Sequence, residues 1–356
     1  DIVTKEMYTF TDKGGDNLTL RPEGTAGVAR AVISGGLSHD LPLKYFYYGP
    51  MFRYERPQKG RLRQFHQIGV ELLGVAEPLG DIEVIALGAA ILREIGVYDR
   101  TTLELNTLGN AASRAAYREK LVAYFRDHVA ALSSDSRERL DRNPLRILDS
   151  KDPRDREIVA DAPLFGDSLD AESCDYFAAV RSGLDLLSIR YTVNPRLVRG
   201  LDYYCHTAFE FTTEALGAQG AVMAGGRYDG LMGMMGGPET PGVGWAAGVE
   251  RLSMLLTNLP AAPRPVAVIP VGDAAASAAL RICEDLRRAG IAVDLGYRGN
   301  LKRRLARANK VNARTAVIVG EDELARNEAT VRDLDDGVQS TVPIADLVVR
   351  LRSVAR

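Results

Sequence analysis

The amino-acid sequence predicts two units: an α+β part reaching to about position 259 with a helical block inside it, and a small α/β domain after it. Three observations predict this. The stretch Leu259-Pro260-Ala261-Ala262-Pro263-Arg264-Pro265 holds three prolines, which cannot continue the apolar helix pattern that precedes them. Beyond it, short β-branched runs alternate with helical periodicity, the pattern of a largely parallel sheet. Before it, a mostly helical stretch at about 113–188 separates two strand-bearing segments and reads as an insertion.

In chain order, residues 18–20 read as a strand and Thr25–Ser34 as a helix. Strands follow at 44–48 and 67–73, then a helix at 81–94 and a strand at 103–106. The helical block comprises 115–132, 136–140 and 171–187, with Asp149-Ser150-Lys151-Asp152-Pro153 as turn chemistry between them. β structure returns at Tyr191–Val193, 208–212 and 221–226. After the prolines come a strand at 266–271, a helix at 274–289, a strand at 291–295, a basic helix at 301–311 and a strand at 313–319. A β pair at 330–334 and 340–342 and a helix at 344–354 close the chain.

Hydrophobic residues make up 46% and charged residues 26%, which excludes collagen, a disordered chain and a disulfide scaffold. No window approaches 18 uninterrupted apolar residues, so no membrane span is expected. Cys174, Cys205 and Cys283 are far apart and form no CxxC pair, which suggests a reducing compartment and argues against structural zinc. The chain opens at Asp1 without a signal-like stretch and is expected to lack its native start. Net charge is −2, but the part from Arg264 onward carries 16 Lys and Arg against 12 Asp and Glu. Arg298, Lys302, Arg303, Arg304, Arg307 and Lys310 cluster there, as a solvated helix face or as a polyanion-binding one.

Arginine-rich chemistry concentrates elsewhere. Gly49-Pro50-Met51-Phe52-Arg53-Tyr54-Glu55-Arg56-Pro57 leads through Gln58-Lys59-Gly60-Arg61-Leu62-Arg63-Gln64-Phe65-His66-Gln67 to Glu71, between an aromatic strand and an apolar alternating one. Two strands joined by a loop with Gly60 at its tip would converge several guanidiniums on one spot, which taken alone reads either as a basic surface hairpin or as multidentate phosphate recognition. Arg21-Pro22-Glu23-Gly24-Thr25 puts a carboxylate on a turn that opens a helix. Arg199-Gly200-Leu201-Asp202-Tyr203-Tyr204 places a cation and two phenols before a strand, and Ala224-Gly225-Gly226-Arg227-Tyr228-Asp229-Gly230 is a glycine-flanked strand end. Gly242-Val243-Gly244-Trp245-Ala246-Ala247-Gly248-Val249-Glu250-Arg251-Leu252 runs from a glycine-rich strand into a helix start, where anions are favoured.

Together these segments resemble one family. Residues 52–71 resemble motif 2 of class II aminoacyl-tRNA synthetases, and residues 242–252 resemble their motif 3. Residues 21–25, 199–204 and 224–230 resemble the hallmarks of histidyl-tRNA synthetases, and the resemblance runs through essentially the whole chain. It implies a class II core with a six-stranded antiparallel sheet in residues 1–112 and 189–259. It also implies a helical insertion domain at 113–188 that contacts the tRNA acceptor arm, a linker at 260–265 and an α/β anticodon-binding domain at 266–356. A cytoplasmic homodimer is implied, with L-histidine and histidine tRNA as partners, ATP as substrate and Mg²⁺ bridging its phosphates, no protein residue being assigned to metal. Motif 1 of the class is expected upstream of Asp1. Cys205-His206 departs from the family pattern; adjacent residues of a regular strand face opposite ways, which argues against a nucleophile pair.

The resemblance also implies roles. Arg53 and Arg199 are the catalytic cations, on opposite sides of the α-phosphate; Arg61 and Arg251 grip the outer phosphates and Phe65 stacks on adenine. Glu23, Thr25 and Gln67 bind the α-ammonium of histidine, Arg199 borders the same pocket, and Glu71 and Tyr204 read the imidazole with Tyr228 nearby. For Tyr203 core packing and ligand contact stay open, and for Glu71 the other reading is a salt bridge to a motif-2 arginine. Arg298, Lys302, Arg303, Arg307 and Lys310 become the candidate tRNA face. The rival is a histidine-binding regulatory subunit of ATP phosphoribosyltransferase; such a paralogue is expected to lack ATP-gripping arginines and the last domain, whereas Arg53, Arg61, Arg199 and Arg251 are all present.

Overall fold

The computed structural model describes residues 6–148, 150–198, 203–217, 220–257, 259 and 261–352. It divides into two compact units, Asp1–Thr257 and Asn258–Arg356. Among the described residues no helix is long and apolar enough to cross a membrane.

The first unit opens with a small pair, β1 (Thr9–Thr11) and β2 (Asn17–Thr19), then α1 (Thr25–Ser34). Strands β3 (Leu43–Phe52) and β4 (Gln64–Leu73) form a long antiparallel hairpin, followed by α2 (Pro78–Glu94) and β5 (Thr102–Thr107). Four helices come next: α3 (Ala111–Asp127), α4 (Ser134–Arg142), α5 (Pro153–Ala160) and α6 (Ala171–Leu186). The chain then returns as β6 (Tyr191–Val193), β7 (Cys205–Thr212), β8 (Ala221–Arg227), α7 (Leu231–Met234), β9 (Gly242–Gly248) and α8 (Val249–Leu255).

These strands make one sheet in the order β3-β4-β9-β8-β7-β5-β6. The expected six antiparallel strands are there, from β3 across to β5. The count is corrected to seven, because β6 adds a parallel edge on β5. The physical reason is the helical stretch between them, long enough to carry the chain back to the start of β5 as a parallel neighbour requires. One core lies between α2, α6 and the sheet, and includes Ile85, Leu92, Leu103, Phe209, Phe211 and Trp245. A second runs from α3 (Tyr117, Leu121, Phe125) to Tyr204, Ala208 and Tyr228, so the helical block shares apolar packing with one end of the sheet.

Within the block, α3 starts and ends earlier than its periodicity suggests, since Asn110 accepts the Ser113 N–H and sets the N-terminus. The turn chemistry around Asp152 and Pro153 proves to be the start of α5, with Asp152 accepting the Arg154 N–H and proline in the first turn.

In the second unit β10 (Val266–Pro270), α9 (Ala276–Arg288), β11 (Val293–Leu295), α10 (Leu301–Lys310) and β12 (Thr315–Val319) alternate as read. Then come α11 (Glu321–Ala325), β13 (Glu328–Asp333), β14 (Gln339–Pro343) and α12 (Leu347–Arg352), the last beginning later than expected, after a 3-10 turn at Ile344–Asp346. The sheet order is β11-β10-β12-β13-β14. Only β11, β10 and β12 are parallel; β13 and β14 run antiparallel, because the link through α11 is too short for a crossover. The largely parallel expectation therefore holds for three of its strands.

One buried ion pair stands out. Arg227, at the end of β8, and Asp81 of α2 are both 0% exposed. The guanidinium pairs with Asp81 through Nη2 and Nε, and donates through Nη1 to the Val75 carbonyl (2.8 Å) and to Asp229 (3.0 Å). Tyr176 of α6 donates to the same Asp81 oxygen at 2.7 Å. Asp81→Ala strands the buried cation and is expected to cost about 3–5 kcal/mol. Urea unfolding followed by fluorescence of Trp245, the single tryptophan, reads this first unit. Replacing both partners, Asp81→Leu with Arg227→Met, is expected to recover most of the loss.

Candidate active site

A cleft of about 580 Å³ opens in the first unit, and Glu23, Thr25, Arg53, Arg61, Phe65, Gln67, Tyr203, Tyr204 and Arg251 all line it. These nine candidates come from four separate stretches of sequence, which the fold brings together. Glu71 and Tyr228 are fully buried and hydrogen-bonded to each other. Arg199 lies outside the described residues.

The hairpin of β3 and β4 delivers the first group. Its loop narrows at a Gln58–Arg61 bridge, with Gly60 in the left-handed region at φ 72°. That conformation aims the Gly60 carbonyl at Arg251, whose Nε donates to it at 2.7 Å; Nη1 of Arg251 donates to the Ala221 carbonyl at 2.6 Å. Arg61 pairs with Glu55, and Arg53 donates from Nε to the Pro22 carbonyl at 2.9 Å. The Arg53 guanidinium lies 5.2 Å from the centre of the Phe65 ring. Burial, then the Arg61 charge, pulls Arg251 below its ordinary pKa, with Arg53 adding to the effect. Two guanidiniums that disfavour the charge on a third, Arg251, make a place where a bound anion is favourable.

The second group surrounds Glu71 on β4. Its two carboxylate oxygens accept from Thr25 Oγ1 at 2.7 Å and from the Tyr228 hydroxyl. This decides against a salt bridge from Glu71 to a motif-2 arginine. Burial is the largest influence and pushes the Glu71 carboxyl up to about 8, although both hydrogen bonds act against it. A β-carbon at Gly244 on β9 would overlap the carboxylate, so the glycine-rich strand is what makes room for it. Glu23 folds back to accept the Thr25 and Ala26 N–H groups at the start of α1. Gln67 is buried, and its Oε1 has no hydrogen-bond partner among the described residues. The rings of Tyr203 and Tyr204 lie 4.7 Å apart, and both approach Tyr228 edge-on. Tyr203 thus packs with the other phenols and borders the cleft at once.

Other candidates stand differently. Cys205 and His206 are not on a regular strand: His206 has φ 41° and the β7–β8 register shifts there, so the alternation argument does not apply to them. Burial pushes the Cys205 thiol up to about 12, which leaves it protonated and a poor nucleophile. Arg298, Lys302, Arg303, Arg307 and Lys310 are exposed on or next to α10 in the second unit, but Arg307 is paired with Asp294 of β11 at 2.8 Å. Among the described residues no group of three or more His, Cys, Asp and Glu side chains could hold a metal ion.

Sequence reasoning missed Tyr47. It faces Gly69 across the hairpin, and β-carbons at Gly69 or Gly24 would both meet its ring. Burial, then Glu71, drives its pKa upward. Alternation with Tyr45 puts the two phenols on one face, but only the pairing of Tyr45 with Glu71 shows that this face is the one at the site. His66 was also passed over; its Nδ1 meets Glu250 at 2.8 Å and ties β4 to α8.

Comparison with known proteins identifies the family. Residues 1–252 match the family model of histidyl-tRNA synthetase, and residues 265–353 match that of the anticodon binding domain. The chain is 58% identical to a histidine–tRNA ligase of Gluconacetobacter diazotrophicus, over 100% of this chain and 86% of the relative. Against that of Rhodospirillum rubrum it is 61% identical, over 98% and 84%. The crystal structure of apo histidyl-tRNA synthetase from S. aureus superposes with a TM-score of 0.82 at 35% identity, covering 97% of this chain and 86% of that one. A Bacillus halodurans chain described as ATP phosphoribosyltransferase regulatory subunit/histidyl-tRNA synthetase shares the fold, with a TM-score of 0.63 at 22% identity over 89% and 83%. With a family model spanning most of the chain, a close structural match and relatives near 60% identity, the chain belongs to the histidyl-tRNA synthetase family.

Proposed function

We propose that the protein is a histidine–tRNA ligase that joins L-histidine to ATP as histidyl-adenylate and then to the 3′ end of histidine tRNA. The observation that carries this is one cleft holding three converging guanidiniums, beside a buried Glu71 bonded to a threonine and a phenol. The retained Arg53, Arg61 and Arg251, together with the anticodon-binding match at 265–353, favour this reading over the regulatory subunit.

In the first step a carboxylate oxygen of histidine attacks the α-phosphorus of ATP, and the bond to pyrophosphate breaks. The protein's task is to align two anions and to stabilise charge building on phosphoryl oxygens. Arg53 holds the α-phosphate and the histidine carboxylate, with Arg199 opposite it; Arg61 and Arg251 take the outer phosphates, and Phe65 stacks on adenine. Mg²⁺ would enter as part of the nucleotide substrate and would supply charge neutralisation at its phosphates. Glu23, Thr25 and Gln67 hold the α-ammonium, the unpartnered Gln67 Oε1 supporting this role. Glu71 and Tyr204 read the imidazole, with Tyr228 holding Glu71 and Tyr203 completing the aromatic wall. A ligand without matching N–H and N groups forfeits the hydrogen bonds that the imidazole makes here, a mismatch that can discriminate by ~10⁴.

In the second step a ribose hydroxyl of the tRNA takes the histidyl group and AMP leaves. We assign the acceptor arm to the block at 113–188 and the anticodon to the domain at 266–356, where Arg298, Lys302, Arg303 and Lys310 supply phosphate contacts and Arg307 a smaller share. A homodimer is supported by the exposed aromatic side chains Phe46 and Tyr48 on β3. A cytoplasmic location follows from the substrates.

Histidine-dependent ATP–pyrophosphate exchange, run against all twenty amino acids, tests the reading; exchange with histidine alone is expected, and binding of histidine without exchange favours the regulatory rival. Arg199→His is expected to abolish exchange while leaving histidine binding by calorimetry nearly intact, and near-normal turnover sinks that role.

Glu71 sets a pH dependence. With its carboxyl at about 8, most of it is protonated at neutral pH, and it must ionise to accept an imidazole N–H. Histidine affinity without ATP is therefore expected to rise between about pH 7 and 8.5, and Glu71→Gln to remove that slope. The stability linkage has the opposite sense: the contribution of the neutral carboxyl is present below its ordinary value of 4.5 and lost as pH rises toward about 8.

A further inference from the structure

We propose that Arg146 and Lys151 form a second phosphate-binding subsite, on the helical-block wall of the cleft, which receives a phosphodiester of the single-stranded 3′ end of the tRNA. The inference rests on the ligase reading and names the residues that serve its second step.

Both side chains line the same cleft as Arg53, Arg61 and Arg251, yet they come from the block between β5 and β6. The segment carrying Lys151 is held by a feature that step one does not use. Asp155 of α5 is fully buried and accepts four hydrogen bonds from serines: the Ser133 N–H at 2.8 Å, the Ser133 hydroxyl at 2.7 Å, and the Ser136 and Ser150 hydroxyls at 2.6 Å each. Burial raises this carboxyl, but the serine hydrogen bonds outweigh it and hold the group at about 2, so it stays ionised. Ser150 in turn accepts the Asp152 N–H at 3.3 Å, and Asp152 caps α5. Lys151 is thus pinned at both neighbours while its own side chain stays exposed. Arg146 sits on the short 3-10 turn Pro144–Ile147, anchored by the buried Pro144 and Ile147.

A third cation on this wall has a different duty. Arg196, in the loop after β6, gives its guanidinium to the Val159 and Ala160 carbonyls and fastens the end of α5 to that loop. The wall is therefore tied down, and Lys151 extends from it into the cleft. The anions of step one, the ATP phosphates and the histidine carboxylate, already meet three guanidiniums on the sheet side. A further anion in the reaction comes with the tRNA, whose unpaired 3′ end carries one phosphate per nucleotide and has to bring a ribose hydroxyl to the adenylate. The other source of phosphate is the ATP chain itself, and the two are separable by which step suffers.

The test uses the full chain with histidine tRNA and two readouts: ATP–pyrophosphate exchange, and single-turnover transfer from preformed enzyme-bound histidyl-adenylate at several KCl concentrations. Lys151→Ala is expected to slow transfer at subsaturating tRNA by roughly 10- to 100-fold and to reduce the salt slope by about one. Lys151→Arg keeps transfer within a few-fold, and Arg146→Ala follows the alanine variant of Lys151. Because Lys151 is exposed, its replacement does not open the core. Exchange falling as far as transfer overturns the proposal in favour of the ATP phosphates. Transfer unmoved in both alanine variants overturns it outright. A wild-type chain without histidine-dependent exchange overturns the ligase reading instead, and the subsite with it.

Discussion

Arg227 is withdrawn from solvent at the end of β8, with its guanidinium spread over Asp81, Asp229 and the Val75 carbonyl. A charge in that position is tolerable only because each contact is made, since breaking one leaves an unpaired ion in a medium that solvates it poorly. The consequence reaches the buried Glu71 beside the cleft. Tyr228 follows Arg227 directly, its N–H donates to the Gly242 carbonyl at 2.7 Å, and Asp229 accepts the Gly242 N–H at 3.1 Å. The end of β8 and the start of β9 are therefore fixed together, and the Tyr228 phenol is held on Glu71. Tyr176 brings α6 to the Asp81 carboxylate, so the helical block, the long helix α2 and the Tyr228–Glu71 pair share one electrostatic anchor.

Opposite chemistry governs the cleft and the buried cluster behind Thr25. In the cleft, Arg61 and Arg53 disfavour the charge on Arg251, all three being held by backbone carbonyls or by Glu55. In the cluster, a carboxyl is buried among a phenol and a hydroxyl and is driven toward its neutral form. Each has an electrostatic cost that its proposed ligand relieves: phosphates and a carboxylate for the arginines, an imidazole N–H for Glu71.

Asp155 shows a third use of buried charge. Its four serine hydrogen bonds join α4, α5 and the turn between them in a block whose helices are rich in polar residues. Hydrogen bonding to the charged form there adds to the apolar core that Phe125, Leu140, Ile147 and Val159 build in the same block.

By itself the sequence determined the elements with strong periodicity and the segments that bear the chemistry. Thr25–Ser34 is helical as its pattern requires, the arginine-rich hairpin turns at Gly60, and the alternation after the prolines gives strands and helices in order. Local periodicity suffices for these because one buried face imposes it. Tertiary structure alone decided the rest. The seventh strand, the antiparallel pair β13–β14 and the start of α5 at Asp152 depend on pairing partners, connection lengths and caps, which composition does not express. Tyr47 and the Arg227–Asp81 pair became visible only when strands distant in sequence were laid side by side. A glycine opposite a phenol, or an aspartate one helix away from an arginine, has no signature until the sheet brings the two together.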